Sequence, residues 1–412
     1  MTINSHSHES QHEATKPGPI AATFAEYTAH PDHFLTIQGV PAEIAERLPG
    51  FVDFVAEFGI SGDALVRAIQ DAGAVIGPAT PGWQDKMSRL GDDAFTRAET
   101  AEAAGDAGRA KMEFMAASFW YFLARFPHIL NAEGALAYKK HTQAYLRASR
   151  YFDYAVELIS IPFEDKQLTG YLRLPHRAST SASNSGWPLV VLWGGIDVWK
   201  SDLEIHSQSE AILRHGLATF AIDMPGTGEC PVPVSMTAER VIVAAMQAMR
   251  DHAAIDGAHM ACYGLSFGGY FAVKLALQHP ELAGAVNNAG PVHLTFQPEW
   301  VEKLPMGART ALARVCGLDP RGDPHHLSSR LAELSLVAQK LLPTKAHAPL
   351  LSLNGKEDKL VSIAELDLMD QNGVEQDRLV FANDRHVASR NWKLHEPLVA
   401  HWFSKQLLDR HT

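Results

Sequence analysis

Gly264-Leu265-Ser266-Phe267-Gly268 sets a serine between glycines, after the apolar run Met260–Tyr263 and before the helical pattern GYFAVKLALQ. A serine on a sharp strand-to-helix turn is the arrangement a nucleophile needs. The turn strains the backbone in a way only small neighbours tolerate, and it stands the hydroxyl beside the positive end of the following helix. The spacing alone recurs by chance; its weight here comes from the strand before it and the helix after it. A serine hydroxyl is a weak nucleophile, so it needs a base, and the base needs an orienting acid. Two later loops supply both in the order Ser, acid, His. Gly355-Lys356-Glu357-Asp358 follows the run PLLSLN, and Asn383-Asp384-Arg385-His386 follows RLVFA. Asp358 is the expected acid, with Glu357 as its competitor. His386 is the expected base, ahead of His395 and His401, which fall within the last helical pattern.

Acyl transfer through such a serine builds an oxyanion that requires preorganised backbone donors. One expected donor is the N–H of Phe267. The other is the N–H of Ile196 or Gly195, in the loop Gly194-Gly195-Ile196-Asp197 after the run LVVLW, where glycines allow close backbone approach. The loop Asp223-Met224-Pro225-Gly226-Thr227-Gly228-Glu229 has compact turn chemistry, and its acidic residues are expected to hold the loop together.

These loops need a scaffold. Leu189–Trp193, Leu217–Ile222, Met260–Tyr263, Ala285–Asn288, Pro349–Leu353 and Arg378–Ala382 read as strands. Helical patterns lie between and after them, at Asp202–His215, Thr237–His252, Phe267–Gln278 and Asn391–Leu408. Continuous apolar strands alternating with helices predict an α/β fold with a mostly parallel twisted sheet covered on both faces. Ahead of them AVELISIPF and QLTGYLRLP read as a hairpin turning at Glu164–Asp165, followed by the Ser-rich linker HRASTSASNSGWP. A hairpin leading into such a sheet predicts the α/β-hydrolase fold. From about Phe24 to Arg150 the pattern is helical, clearest over Ala94–Phe126, with a turn at Gly105 and Gly108, and then again over Gly134–Arg150. The expected organisation is a disordered leader at 1–20, a helical N-terminal lid domain at 21–150, and a catalytic domain at 151–412. Residues 291–347 form a helical cap inserted in the catalytic domain.

With 412 residues, 46% hydrophobic and 20% charged, the chain suits a soluble enzyme of one large and one smaller domain. A net charge of −11 without a basic run argues against nucleic acid as partner. Cys230, Cys262 and Cys316 show neither a disulfide framework nor zinc spacing, so no metal and no cofactor is expected. Neither a signal peptide nor an apolar run of about 18 residues is evident, so a cytoplasmic location and no membrane partner are expected.

The ordered set FLARFPHI, HTQAYLRAS, WGGIDVWKSD, AIDMPGTGECP, YGLSFGGYFA, GPVHLTFQPEW and LLSLNGKEDKLVSIAEL resembles one branch of the α/β-hydrolases. That branch contains bacterial dihydroxypseudooxynicotine hydrolase, the fungal polyketide-shortening hydrolases of naphthalene-melanin pigment synthesis and the FrsA-like esterases. The resemblance runs from about Ala94 onward and is closest to the fungal enzymes at PGTGECP and QPEW. It implies a helical lid over the core, the triad Ser266, Asp358 and His386, and a homodimer as a possible assembly. It also implies a small-molecule aromatic ketone or polyketide-like substrate cleaved at a C–C bond next to the ketone, in a retro-Claisen sense. A carboxylesterase acting on bulky aromatic or polyketide esters is the alternative. A non-catalytic binding module and an acyl transferase or cyclase are more distant ones. Carbon as leaving group needs a proton donor, and Glu299 and His293, in PVHLTFQPEW, are the cap-side candidates beside His386.

Overall fold

A computed structural model of the protein describes residues 48–73, 81–176, 186–304, 306–344 and 347–408. The expected leader, residues 21–47 of the expected lid and most of the Ser-rich linker lie outside the described residues.

The apolar runs form one eight-stranded sheet. Its strands are β1 (Val156–Phe163), β2 (Lys166–Arg173), β3 (Trp187–Trp193), β4 (Ala218–Ile222), β5 (Ile255–Leu265), β6 (Gly284–Asn288), β7 (Leu350–Gly355) and β8 (Asp377–Phe381). Their spatial order is β1-β2-β4-β3-β5-β6-β7-β8. The β1–β2 hairpin turns at Glu164–Asp165 as expected, and β2 joins β4 antiparallel; every later pairing is parallel.

Side chains alternate between the two faces with the strand period of two. Val190 and Leu192 of β3, Ala261 and Tyr263 of β5, and Leu351 and Leu353 of β7 pack on one face. Leu189, Val191, Trp193, Met260, Cys262 and Leu350 pack on the other. Both faces are therefore apolar, as a covered parallel sheet requires.

Buried side chains of the N-terminal helices α1 (Leu48–Ala56), α2 (Gly62–Gly73), α3 (Pro81–Ala103), α4 (Ala107–Arg125) and α5 (Ala132–Ala148) lie in the cluster of the first face, with those of α6 (Leu203–Arg214), which packs directly on β3 and β4. Their buried side chains join those of the sheet in one continuous cluster, so these helices share the sheet's core. The turn expected within Ala94–Phe126 falls at Gly105, whose φ is 75°; Gly108 lies inside α4. Asp106 caps α4 by accepting from the Arg109 N–H at 3.0 Å, and Asn131 caps α5 by accepting from Gly134 at 2.8 Å. From Phe114 to Arg125 every residue of α4 is buried, which is why this helix shows no single apolar stripe.

The opposite face carries α7 (Glu239–Arg250) and α8 (Phe267–Gln278). The stretch after β6 is helical as expected, with short α9 (Pro298–Val301), then α10 (Met306–Val315) and α11 (Pro324–Glu333). Two further helices follow: α12 (Ala364–Gln371), absent from the expected elements, packs on this face, and α13 (Trp392–Leu408) packs on the first. Strand β5 starts earlier than the apolar run suggested, because Ile255 pairs with Trp187 ahead of a register shift. No helix among the described residues is long and apolar enough to cross a membrane.

Candidate active site

Strand order reverses around β3. The chain passes from β3 to β4 on one side and then crosses to β5 on the other. Such a switch point leaves a crevice at the strands' carboxyl ends, where the loops diverge. The loop after β3 carries Gly195 and Ile196, and the turn after β5 carries Ser266.

Ser266 has φ 54° and ψ −130°, a left-handed conformation that costs a non-glycine residue about 1–3 kcal/mol. Its N–H donates to the Asn288 carbonyl at 2.7 Å, and its own carbonyl accepts from Gly269 at 2.8 Å, so the turn is pinned on both sides. A Cβ on Gly264 would run into the Gly268 carbonyl, and one on Gly268 would meet the Gly194 carbonyl. Both glycines flanking the serine are therefore required by backbone approach.

The structure brings Ser266, His386 and Asp358 together in a hydrogen-bonded line. Ser266 Oγ lies 2.7 Å from His386 Nε2, and His386 Nδ1 lies 2.7 Å from Asp358 Oδ2. They are 8%, 9% and 8% exposed, so the line is nearly shielded yet open at the serine end. Asp358 Oδ2 also accepts from Asn354 Nδ2 at 2.8 Å. Its Oδ1 accepts from the N–H groups of Leu360 at 2.8 Å and Val361 at 3.1 Å. Four donors thus fix the carboxylate that aims the imidazole. Glu357 points to solvent, which separates it from the site. His395 is wholly buried against Trp392 and Phe381, and burial pushes its ring down to about 3; His401 is exposed.

Gly195 packs directly on the serine. A Cβ there would sit 2.7 Å from Ser266 Cβ and 3.1 Å from Ser266 Oγ. Phe267 heads α8, so its N–H is one of the helix's unpaired first-turn donors. Both expected sources of oxyanion donors consequently flank the hydroxyl.

Two cavities meet at Ser266. The larger, about 480 Å³, is lined by Ile196, Phe267, Phe296, Leu312, Val361 and His386 among others. The smaller, about 380 Å³, lies toward the N-terminal helices and is lined by Phe51, Phe54, Val198, Glu204, Val387 and Trp392 among others. Phe54 meets Trp392 edge-on, with ring centroids 5.5 Å apart, so α1 forms one wall of it.

Glu299 and His293 are not brought to either cavity. Glu299 follows Pro298 on a single helical turn and is exposed, because that turn buries Val301 instead. His293 is held by Ser335 Oγ at 2.6 Å from Nδ1, while its own N–H donates to Glu365 at 2.9 Å. The loop after β4 is held by its acids, as read from its composition. Asp223 accepts from the Lys200 N–H at 2.9 Å and from Lys200 Nζ at 2.5 Å, and Glu229 accepts from Nζ at 2.7 Å.

Three residues at the site were not among the expected site residues. Glu204 and Trp392 line the smaller cavity, and each is the first or second residue of a helix whose start gives no hint of what it faces. Asp384 is fully buried and gathers the histidine loop, accepting from the N–H of Arg385 at 2.7 Å, from the N–H of Asn391 at 3.2 Å and from Asn391 Nδ2 at 2.7 Å. The one available signal was an acid two residues before the histidine. Among the described residues, no group of three or more His, Cys, Asp or Glu side chains could hold a metal ion.

A family model described as "Esterase FrsA-like" matches residues 72–408. Esterase FrsA of Vibrio vulnificus strain YJ016 is 26% identical over 291 residues, covering 69% of this chain and 67% of the relative. Esterase FrsA of Pectobacterium atrosepticum is 27% identical over 308 residues, covering 73% and 68%. Among solved structures, 2,6-dihydroxy-pseudo-oxynicotine hydrolase superposes with a TM-score of 0.72 at 20% identity, over 87% of this chain and 96% of that one. Wild-type AbyA5 superposes at 0.68 and 22% identity, over 89% and 94%. At these identities the structural likeness concerns the fold.

Proposed function

The chain belongs to the FrsA-like esterase family of α/β-hydrolases, and on that premise we propose that it hydrolyses bulky, largely apolar carboxylic esters through an acyl-enzyme on Ser266. The observation that carries this reading is the line Asp358–His386–Ser266 ending where two cavities meet. A substrate spanning both cavities would set its carbonyl carbon over Ser266 Oγ.

In the first half-reaction Ser266 Oγ attacks that carbon as His386 Nε2 takes the hydroxyl proton. The new oxyanion rests on the N–H of Phe267 and on that of Gly195 or Ile196. Asp358 keeps the imidazole oriented and stabilises its charged form. As the C–O bond breaks, the imidazolium returns the proton to the departing oxygen. Water then attacks the acyl-enzyme with His386 as base, releasing the carboxylic acid and free serine.

A second reading, cleavage of a C–C bond next to a ketone, uses the same first step and expels an enolate or conjugated carbon. The apolar lining of the larger cavity favours it, because a delocalised anion tolerates such a lining better than a localised alkoxide does. Glu299 and His293 line neither cavity, so protonation of that carbon would fall to His386.

Matched aryl esters and aryl β-diketones, incubated with the enzyme in heavy-oxygen water, separate the two by mass spectrometry. Label in the carboxylate with alcohol released from the esters alone supports the ester reading. Ketone or arene released from the diketones replaces it with the second. Full turnover by Ser266→Ala would overturn both.

A further inference from the structure

We infer that Arg125, which belongs to the N-terminal helices, is a positioning residue for the oxyanion loop, so that these helices set catalytic geometry as well as cover the core. This rests on the reading of Ser266 as nucleophile and of Gly195 or Ile196 as oxyanion donor.

Arg125 ends α4 and is wholly buried. Its guanidinium stacks over the Trp199 ring at 3.7 Å and makes two polar contacts. Nη1 donates to the Asp197 carbonyl at 3.1 Å, one residue beyond Ile196, and Nη2 pairs with the Asp202 carboxylate. Asp202 turns that charge back onto the same loop, since its Oδ2 accepts from the Trp199 N–H at 2.6 Å. The Trp199 indole N–H in turn donates to the Ile196 carbonyl at 3.3 Å.

The carbonyls of Ile196 and Asp197 are therefore both held, one by Trp199 and one by Arg125. Peptide units are planar and rotate as rigid bodies, so holding the two that follow Ile196 restrains the loop on the C-terminal side of the donor N–H groups. Gly195 meets the serine from the other side, at the distances that allow no side chain.

The clasp is anchored within the helical layer. His141 of α5 places Nε2 2.9 Å from Asp202 Oδ1, and its Nδ1 lies 2.9 Å from Ser118 Oγ on α4. Burial would raise the Asp202 carboxyl, but Arg125 and His141 outweigh it and hold that carboxyl below the usual range. Asp202 also immediately precedes α6, on which Glu204 lines the smaller cavity. One buried cluster thus joins α4, α5, the oxyanion loop and the start of α6. A cluster whose work was only to bury its own charges would have no need to hold two successive carbonyls of a loop touching the nucleophile.

A displaced oxyanion donor weakens binding of the transition state and leaves the ground state nearly untouched. The test is Arg125→Lys, which keeps the charge and cannot make both contacts at once. Turnover is measured per serine labelled by a fluorophosphonate, so that misfolded protein is not counted. We expect kcat to fall about 10- to 100-fold with KM within about threefold, a fraction of the effect of deleting a donor outright. Affinity for a trifluoromethyl ketone, which forms the tetrahedral adduct, should fall by the same factor, while affinity for the carboxylate product stays unchanged. Trp199→Phe removes the indole donor while keeping an aromatic ring under Arg125, and kcat should fall about five- to tenfold; it provides the readout if Arg125→Lys does not fold. Unchanged kcat per labelled serine in whichever variant folds, with Ser266→Ala inactive, overturns this inference and spares the nucleophile. An active Ser266→Ala overturns the nucleophile itself.

Discussion

Gly355 and Arg385 meet backbone to backbone: the Gly355 N–H donates to the Arg385 carbonyl at 3.1 Å, and a Cβ on Gly355 would overlap that carbonyl. Two neighbouring contacts extend the seam, Lys356 N–H to the Phe381 carbonyl and Glu357 N–H to the Asp384 carbonyl, each at 2.9 Å. The seam joins the loop of Asp358 to the loop of His386, so the distance between acid and base is set by main chain. Gly355→Ala should push the loops apart. We expect kcat/KM for an aryl ester to fall at least about 100-fold, since a displacement of about 1 Å at a reacting group can cost that much. Steady-state kinetics with active-site labelling checks it, and a loss under threefold would show that the two loops adjust independently.

Asp384 holds the loop that carries the same histidine. Burial pushes its carboxyl up, while the donors of Arg385, Asn391 and Arg390 act the other way. In Asp384→Ala those donors lose their acceptor inside the protein, at about 1–3 kcal/mol for each group left buried and unpaired. Val387 and Ala388, which follow His386, stand at φ 57° and 50°, conformations that persist only where surroundings enforce them. The expected result is a lower melting temperature together with about a 10- to 100-fold lower kcat, part of the factor that a positioned base contributes. Asp384→Asn, which keeps one acceptor oxygen, should recover part of both. Equal loss in the two variants would count against the loop-holding role.

How far the sequence reached can be judged from these residues. Ser266, Asp358 and His386 were legible because each follows an apolar strand at a short, turn-rich interval, and parallel strands deliver such turns to one edge. The strands themselves were legible from short apolar runs, though β5 begins before its run, at Ile255, because the next four residues, Asp256 to His259, are not buried. Glu299 lines neither cavity, and the direction of its side chain was not legible for a physical reason. A single turn such as α9 has no periodicity from which to read the direction of a side chain. Asp384, Glu204 and Arg125 escaped because their roles depend on what packs against them. Arg125 meets Asp202 across 77 positions of chain, a relation local patterning does not carry.

Glu396 gives a prediction in pH. Burial pushes its carboxyl up to about 8, against the opposing hydrogen bonds from Ser207 and from the Trp392 indole. The folded protein therefore keeps a proton that the unfolded chain gives up near the ordinary value of 4.5. Between these two values the folded state binds more protons, so stability is greatest below about 4.5 with respect to this group and declines as pH rises toward about 8. Glu396→Gln keeps the shape and cannot ionise. Its melting temperature relative to the parent should rise steadily from pH 5 to pH 9 and flatten beyond it. A difference independent of pH would show that Glu396 is ionised in the fold throughout.

The two cavities can be assigned to the two halves of an ester. The departing oxygen must receive its proton from His386, and His386 lines the larger cavity. The leaving half should therefore occupy that cavity, leaving the acyl half to the space bounded by Phe51, Phe54 and Trp392. Ala308 lines the larger cavity on α10, away from the catalytic residues. Ala308→Phe should fill part of it without touching the triad. Across acetate esters of rising alcohol size, from methyl to naphthyl, kcat/KM should fall progressively relative to the parent. The largest alcohols should lose about 10- to 100-fold, comparable to what a few lost apolar contacts cost. Across methyl esters of rising acyl size the ratio should stay within about threefold. If the penalty instead follows acyl size, the halves are reversed, and His386 must reach the leaving oxygen across the top of Ser266.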